Sequence, residues 1–310
     1  MVLASSMAVT LVEQMAESQN LTEELIDLQA RAWAERGNAH RVADDWVSAE
    51  VDLVRALDLF SRGTGNPLLL ARLMDLTASL YTDQRRFEEA RRLLDWVHAI
   101  YLKMGDAHSA ARALISKGYS LGVALESEEA VKLLRQGILL AEPSRDPKLI
   151  FLALHNLLWF LLDCGQVAEV EGLLPHMKDL YAVYAEGLAE LRAQWLEGRV
   201  AAGVGDDERA ERTFLRVREG FRLGERPYDT ALVSLDLAAV WLRQERIPEI
   251  KDLIDETVKI FRALNIQREA IGALLMLRAA LRKNQATATL LLSVTRELRR
   301  LEQGPRPKLA

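Results

Sequence analysis

The chain has 310 residues, of which 50% are hydrophobic and 27% are charged, a composition typical of folded proteins with a substantial core. Its net charge of −5 excludes a general electrostatic attraction to nucleic acid or to anionic membranes. The single cysteine, Cys164, excludes an intramolecular disulfide and a multi-cysteine metal site, so we expect a cytoplasmic protein.

The first predicted element is a helix over residues 2–17. It has no basic start and no apolar block ahead of a cleavage site, so we expect no signal peptide. This helix either caps the elements that follow or is a truncated repeat. We favour a chain that begins part-way through a longer protein, because SSMAV at 5–9 would give a cap an apolar outer face.

Seven predicted helix pairs follow. Each consists of two apolar stretches with helical spacing, as in 68–81 and 88–104, and glycine or proline residues lie in the joints. The pairs cover 21–61, 66–105, 107–141, 147–185, 187–222, 228–263 and 266–302, and a disordered tail is predicted over 303–310. Because no segment shows strand alternation bounded by turns, the sequence predicts an all-α protein.

A sequence pattern recurs every 40 residues where the second helix of a pair begins, so that FEEARRLL at 87–94 returns as SEEAVKLL at 127–134. The fourth position of this pattern is Ala90, Ala130, Val170, Ala210 and Ile250. Twelve residues earlier the chain usually has a small residue, namely Ala78, Gly118, Gly198 and Ala238, and Gly37 precedes Ala49 in the same way. Since glycine in a helix costs about 1 kcal/mol relative to alanine, its recurrence predicts close helix packing.

The fourth pair departs from this pattern. Leu158 and Val170 occupy its two small positions, and Pro175 lies inside its predicted second helix, where we expect a kink or a break. The longest uncharged apolar run, 149–162, also falls in this pair. Its 14 residues are fewer than the roughly 20 that cross a bilayer, so we expect no membrane span.

These features resemble the tetratricopeptide repeat (TPR) family. The resemblance covers roughly residues 21–292, and Trp33 with Gly37 and Ala49 is its best single match. The 40-residue period is longer than the 34 residues usual in the family. The resemblance implies a right-handed α-solenoid of antiparallel helix pairs, one domain over 1–302, similar to the arrays of bacterial regulatory proteins.

In TPR proteins the first helices line a concave groove that binds protein segments. By register, the resemblance places in this groove Arg31, Asn38, Arg41, Arg72, Asp75, Arg112, Tyr119, His155, Trp159, Arg192, Trp195 and Arg199. The set has six arginines and one carboxylate, and arginine binds carboxylates or phosphates through two parallel hydrogen bonds. Its aromatic members would be apolar anchors. Alternatively, the arginines are solvated helix residues that pair with glutamates on neighbouring turns.

The sequence therefore indicates a non-catalytic scaffold that binds an acidic protein or peptide segment. No GxxxxGK[ST], HExxH or GxSxG motif occurs and the five histidines lack metal-ligand spacing, so we expect no catalytic residue, metal or cofactor. Two alternatives remain open. One is the sensing or effector region of a bacterial transcriptional or signalling regulator. The other is a nucleic-acid binder, which the acidity of the chain disfavours.

Two predicted helices in the C-terminal third, at 229–242 and 270–281, are apolar on nearly every side. A helix of this kind is buried. Tight closure of the superhelix explains the pattern most simply. A homodimer through these repeats, or a partner helix laid in the groove, are the alternatives.

Overall fold

The computed structural model of the chain describes residues 1–18, 21–185, 187–263, 268–282 and 285–301, and the predicted tail at 303–310 lies outside them. In chain order the helices are α1 Val2–Ser18, α2 Glu23–Val42, α3 Trp46–Phe60, α4 Pro67–Asp83, α5 Phe87–Lys103, α6 Ala107–Val123, α7 Ser127–Leu140, α8 Pro147–Asp163, α9 Val167–Leu173, α10 Lys178–Tyr184, α11 Leu188–Gly203, α12 Asp207–Leu223, α13 Pro227–Arg243, α14 Ile247–Ala263, α15 Arg268–Arg282 and α16 Ala288–Leu301. A 3-10 turn, Leu174–Met177, joins α9 to α10, and these residues form no β-strand. The all-α prediction is confirmed.

The chain divides into two compact units, unit 1 up to Ile150 and unit 2 from Phe151 onward. In unit 1, α1 packs on α2, and the helices α2–α3, α4–α5 and α6–α7 pack as pairs. In unit 2 the packed pairs are α11–α12, α13–α14 and α15–α16. We call the leading member of each pair a first helix: α2, α4 and α6 in unit 1, and α8 (from Phe151 onward), α11, α13 and α15 in unit 2. None of the described helices has both the length and the apolar character that a bilayer span requires.

The 40-residue period is present in the backbone as well as in the sequence. One residue with positive φ follows each of six first helices, namely Asp44 (61°), Arg85 (62°), Leu125 (69°), Gly165 (75°), Gly205 (84°) and Glu245 (59°), and the last five are 40 residues apart. A left-handed residue ends a helix and reverses the chain within a few residues. The same turn therefore places each second helix against its first.

Aspartate side chains fix where several helices begin. Asp45, Asp106 and Asp206 each accept a hydrogen bond from the backbone N–H three residues later, over 3.1 to 3.2 Å. Such caps bind N–H groups that have no partner within the helix.

The predicted close approach within the pairs is confirmed. A Cβ built on Gly37 would lie 3.1 Å from the carbonyl oxygen of Ala49, and one on Gly118 would lie 3.2 Å from that of Ala130. At Gly198 the added carbon would meet the Phe214 ring at 2.7 Å. The recurring position itself is 0% exposed in six pairs, at Ala49, Ala90, Ala130, Val170, Ala210 and Ile250. Small residues let the two helices pack backbone against backbone.

The break expected at Pro175 is also confirmed. In place of one long second helix, the fourth pair has α9, the 3-10 turn and α10. Proline cannot donate the hydrogen bond that a continuous helix would need there. The break turns Tyr181 and Tyr184 of α10 onto Phe151 of α8, with ring centroids 5.5 Å away in both cases.

The apolar helix α13 is buried within unit 2. It packs against α12 and α14 as its repeat requires, and α16 packs on it as well. Leu232 is 5% and Leu235 is 1% exposed, while Ala239 and Leu275 are half-buried. Elements of the same chain therefore cover Leu232 and Leu235, whereas Ala239 and Leu275 are covered only in part.

Candidate partner-binding faces

The first helices of unit 1 carry a row of arginines at the repeat spacing: Arg31 on α2, Arg72 on α4 and Arg112 on α6. Two of them reach back to a carboxylate on the preceding first helix. Arg72 donates from Nη2 to Glu35 of α2 over 2.9 Å, and Arg112 donates from Nε to Asp75 of α4 over 3.1 Å. These ion pairs cross from one first helix to the next. They therefore orient the guanidinium groups of Arg72 and Arg112.

Asp75 is the centre of this row. It is 3% exposed, and the Arg72 guanidinium lies 3.6 Å from the same carboxylate oxygen that Arg112 binds. Arg112 also donates to the Tyr101 hydroxyl over 3.3 Å. Burial alone would lower the pKa of Arg112, but Asp75 and Tyr101 outweigh burial and raise it. Arg112 therefore stays charged although it is largely enclosed.

Asn38 and Arg41, near the C-terminal end of α2, form a second group. Arg41 donates from Nη1 to Asp83 of α4 over 2.6 Å and from Nε to Asn38 over 3.1 Å. Burial raises the pKa of Asp83 even though the Arg41 charge opposes the shift. Tyr119 of α6 is 38% exposed and is the most accessible aromatic side chain in the predicted set.

The carboxylates change the expected charge of the face. Sequence register placed one carboxylate among the arginines, whereas Glu35 and Asp83 also lie on this face of unit 1, paired with Arg72 and Arg41. The carboxylate partners of these arginines lie mainly on neighbouring helices rather than on neighbouring turns of the same helix. Arg41, Arg72 and Arg112 nevertheless keep 21%, 31% and 26% of their side-chain surfaces exposed. Arg31 is exposed and makes no ion pair or hydrogen bond with the residues that the structure describes.

Unit 2 brings together the aromatic members of the predicted set. Trp159 of α8 and Trp195 of α11 meet edge to face with centroids 4.8 Å apart, and Phe221 lies 5.6 Å from Trp195. Trp195 is 3% exposed and donates from its indole nitrogen to Asp236 over 2.7 Å. Trp195 is thus part of the core of unit 2 rather than an accessible anchor.

His155 is also turned inward. Its Nδ1 lies 2.9 Å from the Tyr181 hydroxyl. Burial, with a smaller contribution from the Arg192 charge, lowers the pKa of His155 to about 4. Burial raises the pKa of Tyr181, so the hydroxyl keeps its proton and can donate it to a neutral imidazole. The break at Pro175 creates this contact, because it places α10 beside α8.

Arg192 is the arginine of the predicted set in unit 2 that has no carboxylate partner among the described residues. It is half-buried on α11 and forms no hydrogen bond or ion pair with the described residues. Its charge acts at longer range on His155 and on Asp229 of α13, where it favours a lower pKa at both groups. Burial dominates at Asp229, whose pKa is raised.

Asp163, at the end of α8, binds two arginines. Arg199 of α11 donates to it over 2.7 Å, and Arg299 of α16 donates from Nη1 to both carboxylate oxygens over 3.0 Å. Both guanidiniums also lie near the ring of Trp159, at 4.8 Å and 6.0 Å from its centroid. Burial alone would raise the pKa of Asp163, but the two arginines outweigh it and lower the pKa. Arg299 is absent from the predicted set because no repeat spacing relates it to Asp163.

Across the described ranges, no three His, Cys, Asp or Glu side chains lie close enough together to hold a metal ion.

Comparison with known proteins identifies the fold. The structure of RapI in its apo form matches with a TM-score of 0.61 at 12% identity, over 96% of this chain and 83% of that one. A Rap protein complexed with competence and sporulation factor matches with a TM-score of 0.57 at 14% identity, over 91% and 80%. Yeast Tom70 matches with a TM-score of 0.50 at 15% identity, over 96% and 63%. The chain therefore has the TPR-like helical-repeat fold. No family model and no curated protein matches its sequence.

Proposed function

We propose that the chain is a non-catalytic protein-binding scaffold, and that the first-helix face of unit 1 holds the bound segment. The observation that carries the proposal is the row Arg31, Arg72 and Arg112 on successive first helices. The carboxylates Glu35 and Asp75 hold two of these guanidiniums in fixed directions while part of each remains in solvent. A cation that is already oriented loses little conformational entropy when it binds.

The proposed ligand is an extended protein or peptide segment with two or three carboxylates. The face carries Arg31, Arg41, Arg72 and Arg112 against Glu35, Asp75 and Asp83, which is four positive charges against three negative ones. A carboxylate of the ligand can bind a guanidinium through two parallel hydrogen bonds. The net charge of −5 on the whole chain disfavours nucleic acid as the ligand. Tyr119, on the same face, supplies an accessible aromatic surface for an apolar residue of the segment.

The test uses acidic peptides selected from a displayed dodecapeptide library on the wild-type chain, labelled with fluorescein and measured by anisotropy. Arg31→Glu reverses an exposed charge that has no partner among the described residues, so the fold should be kept. Arg92→Glu is its matched control, because Arg92 is exposed on the second helix α5. We expect at least fivefold weaker binding to Arg31→Glu and unchanged binding to Arg92→Glu. Equal affinities for both variants would contradict the proposed face.

A second candidate function is the sensing or effector region of a bacterial transcriptional or signalling regulator. It is favoured by the two Rap structures, which match over nine tenths of this chain, one of them complexed with competence and sporulation factor. In a regulator, binding at one site must change the conformation or stability of other parts of the molecule. Hydrogen exchange with and without a selected peptide tests this function. Changes in protection confined to α2, α4 and α6 would count against it.

A further inference from the structure

The last described helix, α16, lies on the first helices of unit 2. It packs on its pair partner α15 and also on α13. Its buried residues form one stripe, Leu291, Val294, Leu298 and Leu301. The Tyr228 hydroxyl at the start of α13 donates to the carbonyl oxygen of Leu301 over 3.2 Å. The helix thus adds to α13 a contact that the repeat pattern does not require.

The end of α16 also reaches α8. Arg299 binds both oxygens of Asp163 over a sequence separation of 136 residues, and it lies 6.0 Å from the centre of the Trp159 ring. Trp159 occupies the repeat position that Tyr119 has in unit 1. Tyr119 is 38% exposed, whereas Trp159 is half-buried and has two guanidiniums over it. In unit 2, therefore, the chain itself fills the position where a TPR-like face would take a ligand.

The contacts of α16 allow another helix to take its place. If Arg299 leaves, Asp163 keeps its 2.7 Å bond to Arg199, so that no buried carboxylate is left without a cation. Arg199 Nη1 is buried and has no acceptor among the described residues. In contrast, the apolar surface of α13 would be exposed to water if α16 simply left. Replacement by another helix avoids this exposure.

We propose that the first-helix face of unit 2 is a second binding site, occupied here by α16, which an amphipathic partner helix carrying an arginine displaces. The stripe of α16 defines the pattern that such a helix needs. Apolar residues stand at i, i+3, i+7 and i+10, corresponding to 291, 294, 298 and 301, and the arginine stands at i+8. Because Asp163 binds a cation of the incoming helix, this site prefers a positively charged ligand, whereas the face of unit 1 prefers a negatively charged one. The two sites can therefore be tested separately.

The probe is a fluorescein-labelled peptide of residues 285–301, titrated against the full chain. Arg299→Ala weakens the hold of α16, and Arg300→Ala is its matched control, because Arg300 is the exposed neighbour on the same helix and bonds to Glu297. We expect the Arg299→Ala chain to bind the peptide at least tenfold more tightly than the wild type and the Arg300→Ala chain. A peptide with Arg299→Glu should bind at least tenfold more weakly. The Arg31→Glu chain should bind the peptide like the wild type.

A second measurement covers the case in which Arg299→Ala does not fold. An excess of unlabelled peptide added to the wild-type chain should raise hydrogen exchange in the chain's own α16 while α13 stays protected. Equal affinity of the Arg299→Ala and Arg300→Ala chains, or unchanged exchange in α16, would overturn the proposal. So would a dimer that forms through α16 and ignores the peptide, since the occupant would then be a second copy of the chain.

Discussion

Arg112 donates from Nε to Asp75 over 3.1 Å and so joins the first helices α6 and α4. Asp75 is 3% exposed, which makes it a buried carboxylate on the face where the sequence predicted an open site. A buried charge that loses its partner is strongly destabilising. The pair therefore has a structural role in addition to the binding role proposed for the face around it.

Replacing Arg112 by methionine should destabilise unit 1 by about 2–4 kcal/mol, because Asp75 would keep only the Arg72 guanidinium at 3.6 Å. Urea unfolding followed by circular dichroism measures the change. Arg92→Met, on the exposed side of α5, is the control and should change stability by less than about 0.5 kcal/mol. If both variants unfold at the same urea concentration, the buried pair does not stabilise the fold.

Two glycines in unit 2 allow the effect of backbone conformation on stability to be measured without a change in packing. A Cβ added at Gly165 or at Gly172 would meet no atom within 4 Å, but only Gly165 has a positive φ, of 75°. Gly165→Ala should destabilise by roughly 1–2 kcal/mol, the cost of a left-handed conformation with a Cβ. Gly172→Ala, inside α9, should stabilise by up to about 1 kcal/mol. Thermal unfolding of the two variants should shift in opposite directions, and a shift of both in one direction would refute the assigned turn.

Leu125 occupies the turn position that Gly165 and Gly205 occupy in later repeats, with φ of 69°. Leu125→Gly should remove the left-handed strain and stabilise unit 1 by roughly 0.5–1 kcal/mol, after the greater flexibility of unfolded glycine is subtracted. The measurement is the melting temperature, compared with that of Leu125→Ala. Alanine keeps the strain, so an equal gain from both substitutions would assign the effect to the loss of an exposed leucine.

The close helix contact at Ala90 gives a prediction about overpacking. Ala90 is 0% exposed at the start of α5, and Ala90→Leu should destabilise by roughly 1–3 kcal/mol because the added carbons have no space. Ala99→Leu is the control, since Ala99 is exposed on the same helix. The free energy of unfolding from urea titrations should fall for the first variant alone. Equal stability of the two would contradict the packing of α5 on α4.

His155 should make stability depend on pH. Its pKa of about 4 in the folded chain lies below the value of 6.5 in the unfolded chain, so the unfolded state binds more protons between these values. Stability is therefore lost as the pH falls from 6.5 toward 4, by about 2 kcal/mol between pH 7 and pH 5. His155→Phe should remove this loss, whereas His176→Gln, at an exposed position, should keep it. Urea titrations at pH 7, 6 and 5 provide the comparison.

The repeat and its helices could be predicted because their determinants are local. Helical spacing of apolar residues and the joints set the helix bounds, and Pro175 set the break within the fourth pair. The charge balance of the predicted site could not be predicted in the same way. Glu35 and Arg72 are 37 residues apart, and only the packing of α2 on α4 shows that they meet.

The sequence by itself determined the all-α repeat, its 40-residue period and the small residues at which paired helices touch. These follow from interactions between neighbours along one helix or within one helix pair. Only the tertiary structure decided which arginines are paired and that α16 covers the first helices of unit 2. Both depend on long-range geometry, because an ion pair forms wherever packing brings two charges within about 4 Å, whatever their separation in the sequence. Arg299 and Asp163, 136 residues apart, are the clearest example.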